Sequence, residues 1–556
     1  MAPLTDRQQE IGVFLALMGI ALIVAFLASR WRRPKNLNSL EEWGVGGRAF
    51  GNWVTWFLVG GASYTAYTFI SVPAAMWGRG AIGFYAIPFA LVTTPIVFVV
   101  STRLWSVAHA HGFVTSAEFT RARFGSRPLG LAVAILGIVA TMPYIAVQLI
   151  CLEAVFKTIG FNGHWPLLVS LGVVSFATFR SGLRAPALLS IAKDVLLVWL
   201  VLSTVLVVKM SGGWGQVTDA ANRRYTGDTN PASNLLLTNP GRWTYLSLVI
   251  GSALSIFIYP HALTAILAAK DRNTIKRNAA ALPIYALVLG LMALLGLFAI
   301  YKGVFPVDAN LPKGIIGDPN TITPMIFHTQ FPAWSTGIAY ATLAVAALIP
   351  AAIMSISSAN LFTRSIYIEY FRPRATPAEE ARVSRWVSLL VKFGAAGVII
   401  WLNPAFSVEF QLIGSIIILQ GMPAVFLGVM TGWFHRWALM LGIIVGLAAS
   451  LWMLWLTPEL DAKGAVVKAH FGGSVWPLAK WGYHGTTSIY IGLITMAINL
   501  AVVLLVSAIL KLFHVSPNLD HTRPEDYTAD ADIEGLDRLD QLLDGIPQKS
   551  GAHALR

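Results

Sequence analysis

Charged residues and cysteine are scarce in this chain. Only 12% of its 556 residues are charged, whereas 56% are hydrophobic, and the mean hydropathy is +0.65. A soluble protein of this composition would expose too much apolar surface, which excludes a soluble enzyme or binding module. The single cysteine, Cys151, excludes an internal disulfide and a cysteine-based metal site. Its place in an apolar run favours a small packed side chain.

Long apolar runs fill most of the chain. A helical run of about 20 residues matches the roughly 30 Å hydrocarbon core of a bilayer. The sequence therefore predicts an all-α polytopic membrane protein with about 13 transmembrane helices. The predicted spans are 11–29, 50–76, 82–102, 128–156, 165–179, 186–208, 243–269, 281–301, 334–363, 383–402, 408–431, 434–457 and 486–513.

Basic residues are distributed unevenly between the connections. A basic cluster follows the first apolar run instead of preceding it, so we expect a retained helix with the N-terminus outside. The predicted inner connections then hold 22 basic residues, six of them from Arg364 to Lys392, and the longer outer segments hold 12. This pattern predicts a cytoplasmic C-terminus. The net charge of +13 is thus a topology signal, and no nucleic-acid partner is expected.

The opening run of the core carries an interruption, GGASYTAYTFISVPAAMWG. A continuous helix over 50–77 would be about 42 Å long, which exceeds what the membrane requires. Gly60 and Gly61 weaken the helix near its middle, and Pro73 removes a backbone donor. Irregular backbone at membrane depth is tolerated only where it is buried in protein or lines a polar cavity. For this segment alone, close packing of small residues is an equally good explanation.

A second interrupted run lies five spans later, at 243–269. It carries Gly251-Ser252 before its middle and Tyr259-Pro260-His261 after it, and it crosses in the opposite direction. Paired interrupted helices in two oppositely oriented halves indicate an inverted-repeat transporter with its site between them. Amides released at such breaks can bind an anion, and released carbonyls can bind a cation.

Several ordered motifs resemble a known family. They are EEWGVGGRAFGNWVTWFL, SYTAYTFISVPA, GIVATMPYIAVQL, SGLRAPALLSIAKD, YPHALTAIL, PAAIMSISSANLFTRSIY and GWFHRWALMLG. Together they resemble the sodium:solute symporter family, most closely its bacterial monocarboxylate permease branch, from about residue 11 to 510. The resemblance implies a leucine-transporter-like core of five plus five helices whose first and sixth helices are discontinuous. It also implies a bacterial cell (inner) membrane location.

The resemblance also implies an order of segments along the chain. One extra helix and a basic inner loop precede the core, two accessory helices follow it, and an acidic tail of nine acidic and four basic residues ends the chain. We expect that tail to be mostly solvated and cytoplasmic, with a docking or regulatory element as the alternative. The expected segments are 1–49, 50–209 and 243–431 for the two repeats with an outer loop at 210–242, then 432–513 and 514–556.

An ion site follows from the same resemblance. By position its ligands are the carbonyls of Ala62 and Thr65, the carbonyl of Ala352 and the hydroxyl of Ser355. Where relatives carry a second hydroxyl, this chain has Ile356. A hard cation needs a cage of oxygens, and Ile356 supplies none. Na⁺ remains possible at the four conserved positions of the pattern, with water as a further ligand.

Two adjacent charged residues lie in the fifth core helix. Asp194 matches an acid of the family near the ion site, and Lys193 stands where sodium-coupled members usually carry a neutral residue. Intramembrane charges are costly and commonly functional. We therefore favour H⁺ coupling through Lys193. The alternatives are a structural Lys193–Asp194 pair, a lysine that reaches the interface, and Na⁺ coupling. No cofactor beyond the coupling ion is expected.

Candidate substrate-binding residues are neutral hydrogen-bonding side chains on otherwise apolar core helices. Each of them alone is more often a helix–helix contact than a ligand contact. They are Tyr64, Tyr67 and Thr68 on the first core helix, Thr141, Tyr144 and Gln148 on the third, Ser252, Ser255, Tyr259 and His261 on the sixth, and Gln411, Ser415 and Gln420 on the tenth.

These features predict a secondary active transporter that imports short monocarboxylates such as lactate or pyruvate, coupled to H⁺ or Na⁺ by alternating access. The alternatives are an amino-acid or other small-solute:Na⁺ symporter and a transporter-like solute sensor. The 43-residue tail is small for a signalling module. Without paired catalytic carboxylates or a nucleophile motif, an enzyme is not expected. The expected partners are a small organic acid and the lipid bilayer, and nothing in the sequence specifies an oligomeric state.

Overall fold

The computed structural model describes residues 5–31, 38–161, 163–226, 235–306, 317–401, 407–460 and 466–528. Within these residues the chain is mostly helical. The helices are α1 Asp6–Leu27, α2 Leu40–Gly44, α3 Asn52–Ser63, α4 Val72–Arg79, α5 Ala86–Ile96, α6 Thr102–His111, α7 Ser116–Phe124, α8 Arg127–Ile159, α9 Trp165–Ser181, α10 Arg184–Met210, α11 Gly213–Thr226, α12 Asn239–Ile256, α13 Pro260–Leu267, α14 Arg272–Ala281, α15 Pro283–Ala293, α16 Leu295–Tyr301, α17 Ile322–Gln330, α18 Ala333–Phe362, α19 Pro377–Trp401, α20 Val408–Ile418, α21 Gly428–Met430, α22 Arg436–Trp455 and α23 Ile491–Leu512.

Local signals in the sequence set the helix ends. The 33-residue α8 begins after Ser126, whose side chain accepts a hydrogen bond from the Leu129 amide. It ends at Gly160, which adopts the left-handed conformation that glycine tolerates best. Capping of this kind satisfies backbone groups that have no partner inside the helix, so long apolar segments end at defined positions.

Eight helical segments of the described chain are long and apolar enough to cross a membrane, and two bent pairs raise this number to ten. The bent pairs are Asn239–Ile256 with Pro260–Leu267 and Val408–Gly421 with Pro423–Met430. The predicted polytopic all-α class is confirmed. The predicted count of about 13 is not established, because some predicted spans, such as the 17-residue α9, are too short to meet this test.

Both predicted helix breaks are present. The first helix of the core ends at Ser63, Tyr64 is extended at φ −103° and ψ 91°, and a π-helical turn, Tyr67–Ser71, leads into α4. Pro73 lies in the first turn of α4, where a missing amide costs nothing. The sixth core helix breaks between α12 and α13, which meet at 48°. A third bend, of 44°, precedes Pro423 and was not predicted.

Helix α18 lies at the centre of the molecule. Its membrane-length window is 94% buried, and it packs against α1, α8, α10 and α19. Small side chains such as Ala and Ser dominate its sequence, so neighbouring helices approach it closely on all sides. Residues on α18 therefore face several helices at once, which is what a central binding site requires.

The long connections contain structure of their own. The predicted outer loop 210–242 contains α11, and the connection near 302–333 contains α17. The segment between α22 and α23 forms two antiparallel hairpins, with β1 Glu459–Leu460 paired to β2 Val466–Lys468 and β3 Val475–Pro477 paired to β4 Ser488–Tyr490.

The first part of the acidic tail packs against the helices. Asp520 pairs with Arg123 at 2.5 Å, Asp526 pairs with His111 at 2.7 Å, and Tyr527 is 3% exposed. Residues 514–528 are mostly exposed, as expected for a solvated tail, but they contact α6 and α7 through these side chains. Residues 529–556 lie outside the described part of the chain. We call the end of the bundle that carries residues 514–528 the C-terminal face.

Candidate functional site

Glycine at the first break lets three helices meet. A β-carbon at Gly61 of α3 would overlap the Ser190 hydroxyl of α10 and would lie 3.6 Å from Ile349 of α18. At Gly60 a β-carbon would come within 2.6 Å of Cζ of Tyr285. The glycines are therefore required here by close approach of other helices, and the break lies where α3, α10 and α18 converge.

Lys193 binds the backbone at this break. Its side chain is fully buried, its Nζ atom lies 2.9 Å from Oδ1 of Asp194, and it donates to the Tyr64 carbonyl at 3.3 Å. The lysine therefore does not reach the interface. The contact with Asp194 is an ion pair between neighbours and not a directed hydrogen bond, since Oδ1 has no aligned donor. The Tyr285 hydroxyl donates to the other oxygen of Asp194.

Tyr285 completes this cluster and was not predicted. Its ring stacks on that of Tyr64 with centroids 4.7 Å apart, and it also touches Trp56 at 4.6 Å. Its signal in the sequence is weak, since it is one tyrosine near the start of an apolar run. Lys193, Asp194, Tyr285 and the Tyr64 carbonyl together form what we call the break cluster.

Three of the four predicted ion ligands, Thr65, Ala352 and Ser355, take part in internal hydrogen bonds. The Thr65 carbonyl accepts from the Thr68 amide at 2.9 Å, and the Ala352 carbonyl accepts from the Ser355 hydroxyl at 2.8 Å. Ala62 and Thr65 flank the Tyr64 carbonyl, which Lys193 occupies. Among the described residues, no hydrogen bond joins Lys193 to Ser355, so the lysine belongs to the break and not to α18.

Ser355 is connected instead to a second buried lysine. Its hydroxyl accepts from Ser388 of α19 at 3.2 Å, and Ser388 accepts from Nζ of Lys392 at 3.3 Å. Lys392 also donates to Thr178 of α9 at 2.9 Å. We call Lys392, Ser388, Ser355 and the Ala352 carbonyl the relay chain. Ser388, Thr178 and Lys392 were not predicted as site residues.

The assignment of Lys392 to an inner connection is wrong. Helix α19 begins at Pro377, so Lys392 lies well inside it, and the residue is 1% exposed. Lys392 was counted with the inner connection because it is the last basic residue before a continuous apolar run. Its position within the predicted span 383–402 was the signal that would have found it.

Four of the predicted substrate residues are joined by contacts between their aromatic rings. Tyr144, Tyr259 and His261 lie in mutual contact, with all three ring centroids 5.3 Å apart. Tyr67 meets Tyr144 edge to face at 6.4 Å. The Tyr67 hydroxyl is bonded at 2.8 Å to that of Tyr85, a residue that was not predicted. The third helix of the core and both broken helices therefore meet at one place.

Hydrogen bonds bring the tenth core helix to the same place. Ser415 of α20 accepts from the Gln411 amide at 2.9 Å and from Ser255 at 3.1 Å. The Tyr259 hydroxyl lies 3.4 Å from Ser415 and donates to the Gln411 carbonyl at 3.3 Å. Predicted residues of α12 and α20, together with Tyr259 just before α13, are thus in one hydrogen-bonded group.

Several buried polar atoms in this group have no protein partner among the described residues. Burial without a hydrogen bond is costly, and most such groups in native proteins are paired. The unpaired atoms among the predicted residues are Nδ1 and Nε2 of His261, Oε1 of Gln148, Oε1 of Gln411 and Oγ of Ser252. All four side chains are at most 1% exposed. These donors and acceptors are therefore not used by other protein groups of the described chain.

Two predicted substrate residues serve other contacts. The Thr141 hydroxyl donates to the carbonyl of Gly137 in its own helix, at 2.6 Å. Gln420 donates to Thr495 at 3.0 Å and to Ser450 at 3.2 Å, on the accessory helices. Gln420 is therefore a packing residue between the core and the accessory helices. Thr68 is buried beside the first break.

An ion pair and a cavity lie toward the end opposite the C-terminal face. Glu409 is 8% exposed and pairs with Arg79 at 2.5 Å. The nearby cavity has a volume of about 510 Å³. Its lining is mostly apolar and consists of Met76, Ala81, Phe84, Leu235, Leu236, Leu237, Arg242, Tyr245, Leu294 and Leu297.

Comparisons with known proteins agree with this geometry. The profile of the sodium:solute symporter family matches residues 43–446. A monocarboxylate transport permease protein of Rhizobium johnstonii is 42% identical over 501 residues, covering 90% of this chain and 96% of the relative. The uncharacterized symporter YodF of Bacillus subtilis is 32% identical, covering 79% and 88%. The structure of a substrate-bound, outward-open Na⁺-coupled sialic acid symporter superposes with a TM-score of 0.70 at 14% identity, covering 92% and 99%.

Proposed function

The chain belongs to the sodium:solute symporter family, and we propose that it imports short monocarboxylates such as lactate or pyruvate. It is a multi-pass membrane transporter and not an enzyme. The observation that carries the proposal is the group of unpaired buried polar atoms between the two broken helices. The similarity to a monocarboxylate permease supports the choice of substrate class.

The group around His261 suits a small anion. His261 is the second residue of α13, so it lies in a first turn whose amides have no partner inside the helix. Helix N-termini favour carboxylates through these amides and through the helix dipole. The rings of Tyr144, Tyr259 and His261 pack together beside this turn, with centroids 5.3 Å apart.

We propose that transport is coupled to H⁺. Lys193 places an ammonium on the Tyr64 carbonyl, between the two backbone positions that hold Na⁺ in relatives. Two unit positive charges 4 Å apart repel by roughly 4 kcal/mol at an effective dielectric of 20, close to a thousandfold in affinity. Asp194 offsets part of this repulsion. Na⁺ bound by Ala62, Thr65, Ala352, Ser355 and water is the competing arrangement.

We further propose that the protein lies in a bacterial inner membrane with its C-terminal face toward the cytoplasm. The unequal distribution of basic residues supports this orientation. The basic side chains Arg123 and His111, which hold the acidic tail segment, lie on the same face. The family's import direction then runs from the end near Arg79 to the C-terminal face.

Counterflow in liposomes tests the substrate independently of the coupling ion. Vesicles loaded with unlabelled lactate are diluted into labelled pyruvate without any imposed ion gradient. We expect transient accumulation of label, competed by lactate and pyruvate and not by a neutral amino acid such as proline. Accumulation competed by proline and not by lactate, or no accumulation with any short monocarboxylate, would contradict the proposal.

A further inference from the structure

We propose that Lys392 is a coupling residue whose protonation state decides whether Ala352 and Ser355 can hold a cation. This inference rests on the proposed ion-coupled transport and names a titrating residue at that site. It acts through Ser388 and makes no contact with the transported acid, so Lys392 is a positioning residue.

The first observation is an uncompensated buried amine. Lys392 is 1% exposed and lies about 10 Å along α19 from Arg385, the preceding basic residue. Its Nζ donates to two neutral hydroxyls, those of Ser388 and Thr178. No carboxylate of the described chain lies within 4 Å of it, in contrast to Lys193 with its 2.9 Å contact to Asp194. A buried ammonium without a counter-ion is costly, and no carboxylate stabilises the charged form of Lys392.

The second observation is the direction in which the hydrogen bonds of the relay chain point. Lys392 donates to Ser388, Ser388 donates to Ser355, and Ser355 donates to the Ala352 carbonyl. Each hydroxyl proton therefore points away from the lysine. The Ala352 carbonyl and the Ser355 oxygen, two of the predicted cation ligands, are both engaged while the ammonium is present.

Loss of one proton from Lys392 permits the opposite direction. A neutral amine has a lone pair, so Ser388 can donate to Nζ and Ser355 can donate to Ser388. The Ala352 carbonyl then loses the Ser355 hydroxyl as a donor, and the Ser355 oxygen no longer accepts from Ser388. The same step removes one positive charge from the neighbourhood. A proton on Lys392 and a cation at Ala352 and Ser355 thus oppose each other.

Other charged groups near α19 lie at the helix ends. The elements that pack against α19 are α2, α8, α9, α18 and the π-helical segment Thr363–Phe371. Helix α18 carries no charged residue. The charged groups of the other elements and of α19 itself are Glu41, Glu42, Arg127, Glu153, Lys157, Arg180, Arg364, Glu369, Glu379, Glu380, Arg382 and Arg385. None of their carboxylates forms an ion pair with Lys392, so its proton responds mainly to the relay chain and to burial.

Thermal unfolding of the purified full chain tests the switch without a substrate. Midpoints are compared in NaCl and in choline chloride at equal ionic strength, at pH 6 and at pH 9. In the Lys193→Met background, where the charge at the break no longer opposes a cation, we expect Na⁺ to stabilise the added Lys392→Met variant at both pH values and Lys193→Met alone only at pH 9. The apparent Na⁺ affinity at pH 6 should rise by roughly tenfold or more when the charge is removed. Lys392→Arg retains a charge and should show no Na⁺ stabilisation at either pH.

Matched variants exclude a general effect of losing a lysine. Lys209→Met removes an exposed lysine at the end of α10 and should behave as the wild type. Lys193→Met removes the other buried ammonium. If Na⁺ stabilised Lys193→Met equally at pH 6 and at pH 9, the proton on Lys392 would not control the cation and the proposal would be wrong.

Ser388→Ala keeps the lysine and interrupts the relay chain, so it tests the proposal even if Lys392→Met does not fold. In the Lys193→Met background we expect this variant to lose the pH dependence of the Na⁺ effect. The pH profile of uptake should likewise be flattened in Ser388→Ala and unaltered in Lys209→Met. A wild-type pH profile in Ser388→Ala, together with an unchanged Na⁺ response in the Lys193→Met background, would overturn the proposal. Failure of counterflow with monocarboxylates would leave these unfolding results unchanged, so the two proposals fail separately.

Discussion

His261 is the residue on which the proposed substrate site depends most. Both ring nitrogens lack a partner among the described residues, although the ring is fully buried against Tyr144 and Tyr259. A histidine that served packing alone would normally bond a backbone carbonyl. Its nitrogens are therefore available to a ligand, while the faces of its ring hold the pocket together.

His261→Phe separates these two functions. Phenylalanine keeps an aromatic ring against both tyrosines and removes the nitrogens. We expect the unfolding midpoint to change little, because no hydrogen bond is lost, and KM for uptake to rise by about 10- to 100-fold, the effect of losing a hydrogen bond to a charged ligand. An unchanged KM together with a lower unfolding midpoint would show that the ring is a packing residue only.

Individual residues were predictable where a single segment carried the signal. Lys193 and Asp194 stand in an apolar helix, and His261 follows a proline at a break, so each is visible in the sequence. Tyr285 and Ser388 acquire their roles from α10 and α18, which lie far away along the chain. Such roles depend on tertiary contacts that no local pattern specifies.

Close approach of helices at the first break is a property of whole elements. Helix α10 reaches α3 through Ser190 at the place where Gly61 lacks a side chain. The same contact brings Lys193, one turn further along α10, to the Tyr64 carbonyl. The spacing of α3 and α10 therefore sets the geometry of the break cluster.

Gly61→Ala and Ser190→Ala test this contact as a pair. Alone, Gly61→Ala should lower uptake at least tenfold and also lower the unfolding midpoint, because its β-carbon meets the Ser190 hydroxyl. In the double variant that hydroxyl is absent, and part of both losses should be restored. If the effects of the two substitutions on uptake and on the unfolding midpoint were additive, α3 and α10 would not meet at this contact.

The breaks in the first and sixth core helices were predictable because glycine and proline interrupt helices by known backbone effects. The bend before Pro423 and helix α11 were not predicted. Pro423 lies inside the run 408–431, which was predicted as one continuous span, and α11 lies in a connection whose polar residues resemble those of a loop. Amphipathic helices that rest on a membrane protein give a weaker pattern than the spans themselves.

At the scale of the whole molecule, residues 514–528 join separate parts of the C-terminal face. Arg123 of α7 and Arg103 of α6 lie over the ring of Tyr527, at 5.1 and 5.9 Å. Arg272 of α14 donates to the Thr528 carbonyl at 3.0 Å. The segment therefore contacts helices from both repeats of the expected core.

Two truncations measure what this segment contributes. A chain that ends at residue 513 loses these contacts, and a matched chain that ends at residue 528 keeps them. We expect the shorter chain to unfold at a lower temperature, because it loses two ion pairs and the buried Tyr527 ring. Equal midpoints for the two truncated chains would mean that the contacts do not stabilise the fold.

The Asp526–His111 contact adds a defined pH dependence. Burial alone would raise the pKa of the Asp526 carboxyl, but bonds from the Arg523 amide and the His111 ring outweigh it and lower the pKa below 3.8. The contribution to stability is thus fully present above pH 3.8 and disappears as the pH falls through the lowered pKa. The difference in midpoint between wild type and Asp526→Asn should narrow as the pH falls below 4. A difference as large at pH 3 as at pH 5 would contradict this assignment.

The architecture of the whole molecule was largely predictable, and its charge distribution less so. Apolar runs and two paired breaks predicted a polytopic inverted-repeat transporter, and the fold agrees. Lys392 was assigned to an inner connection because topology rules based on charge place lysines in loops. Only the packing of α19 against α9 and α18 shows that it is buried.

The central claim is that this protein couples uptake of a short monocarboxylate to H⁺ and not to Na⁺. The most direct measurement is initial uptake of labelled lactate by proteoliposomes under an inward pH gradient, with choline replacing all Na⁺, and under an inward Na⁺ gradient at equal pH on both sides. We expect concentrative uptake under the pH gradient. Under the Na⁺ gradient we expect no more uptake than in vesicles without any gradient. Uptake that requires Na⁺ and ignores the pH gradient would contradict this claim.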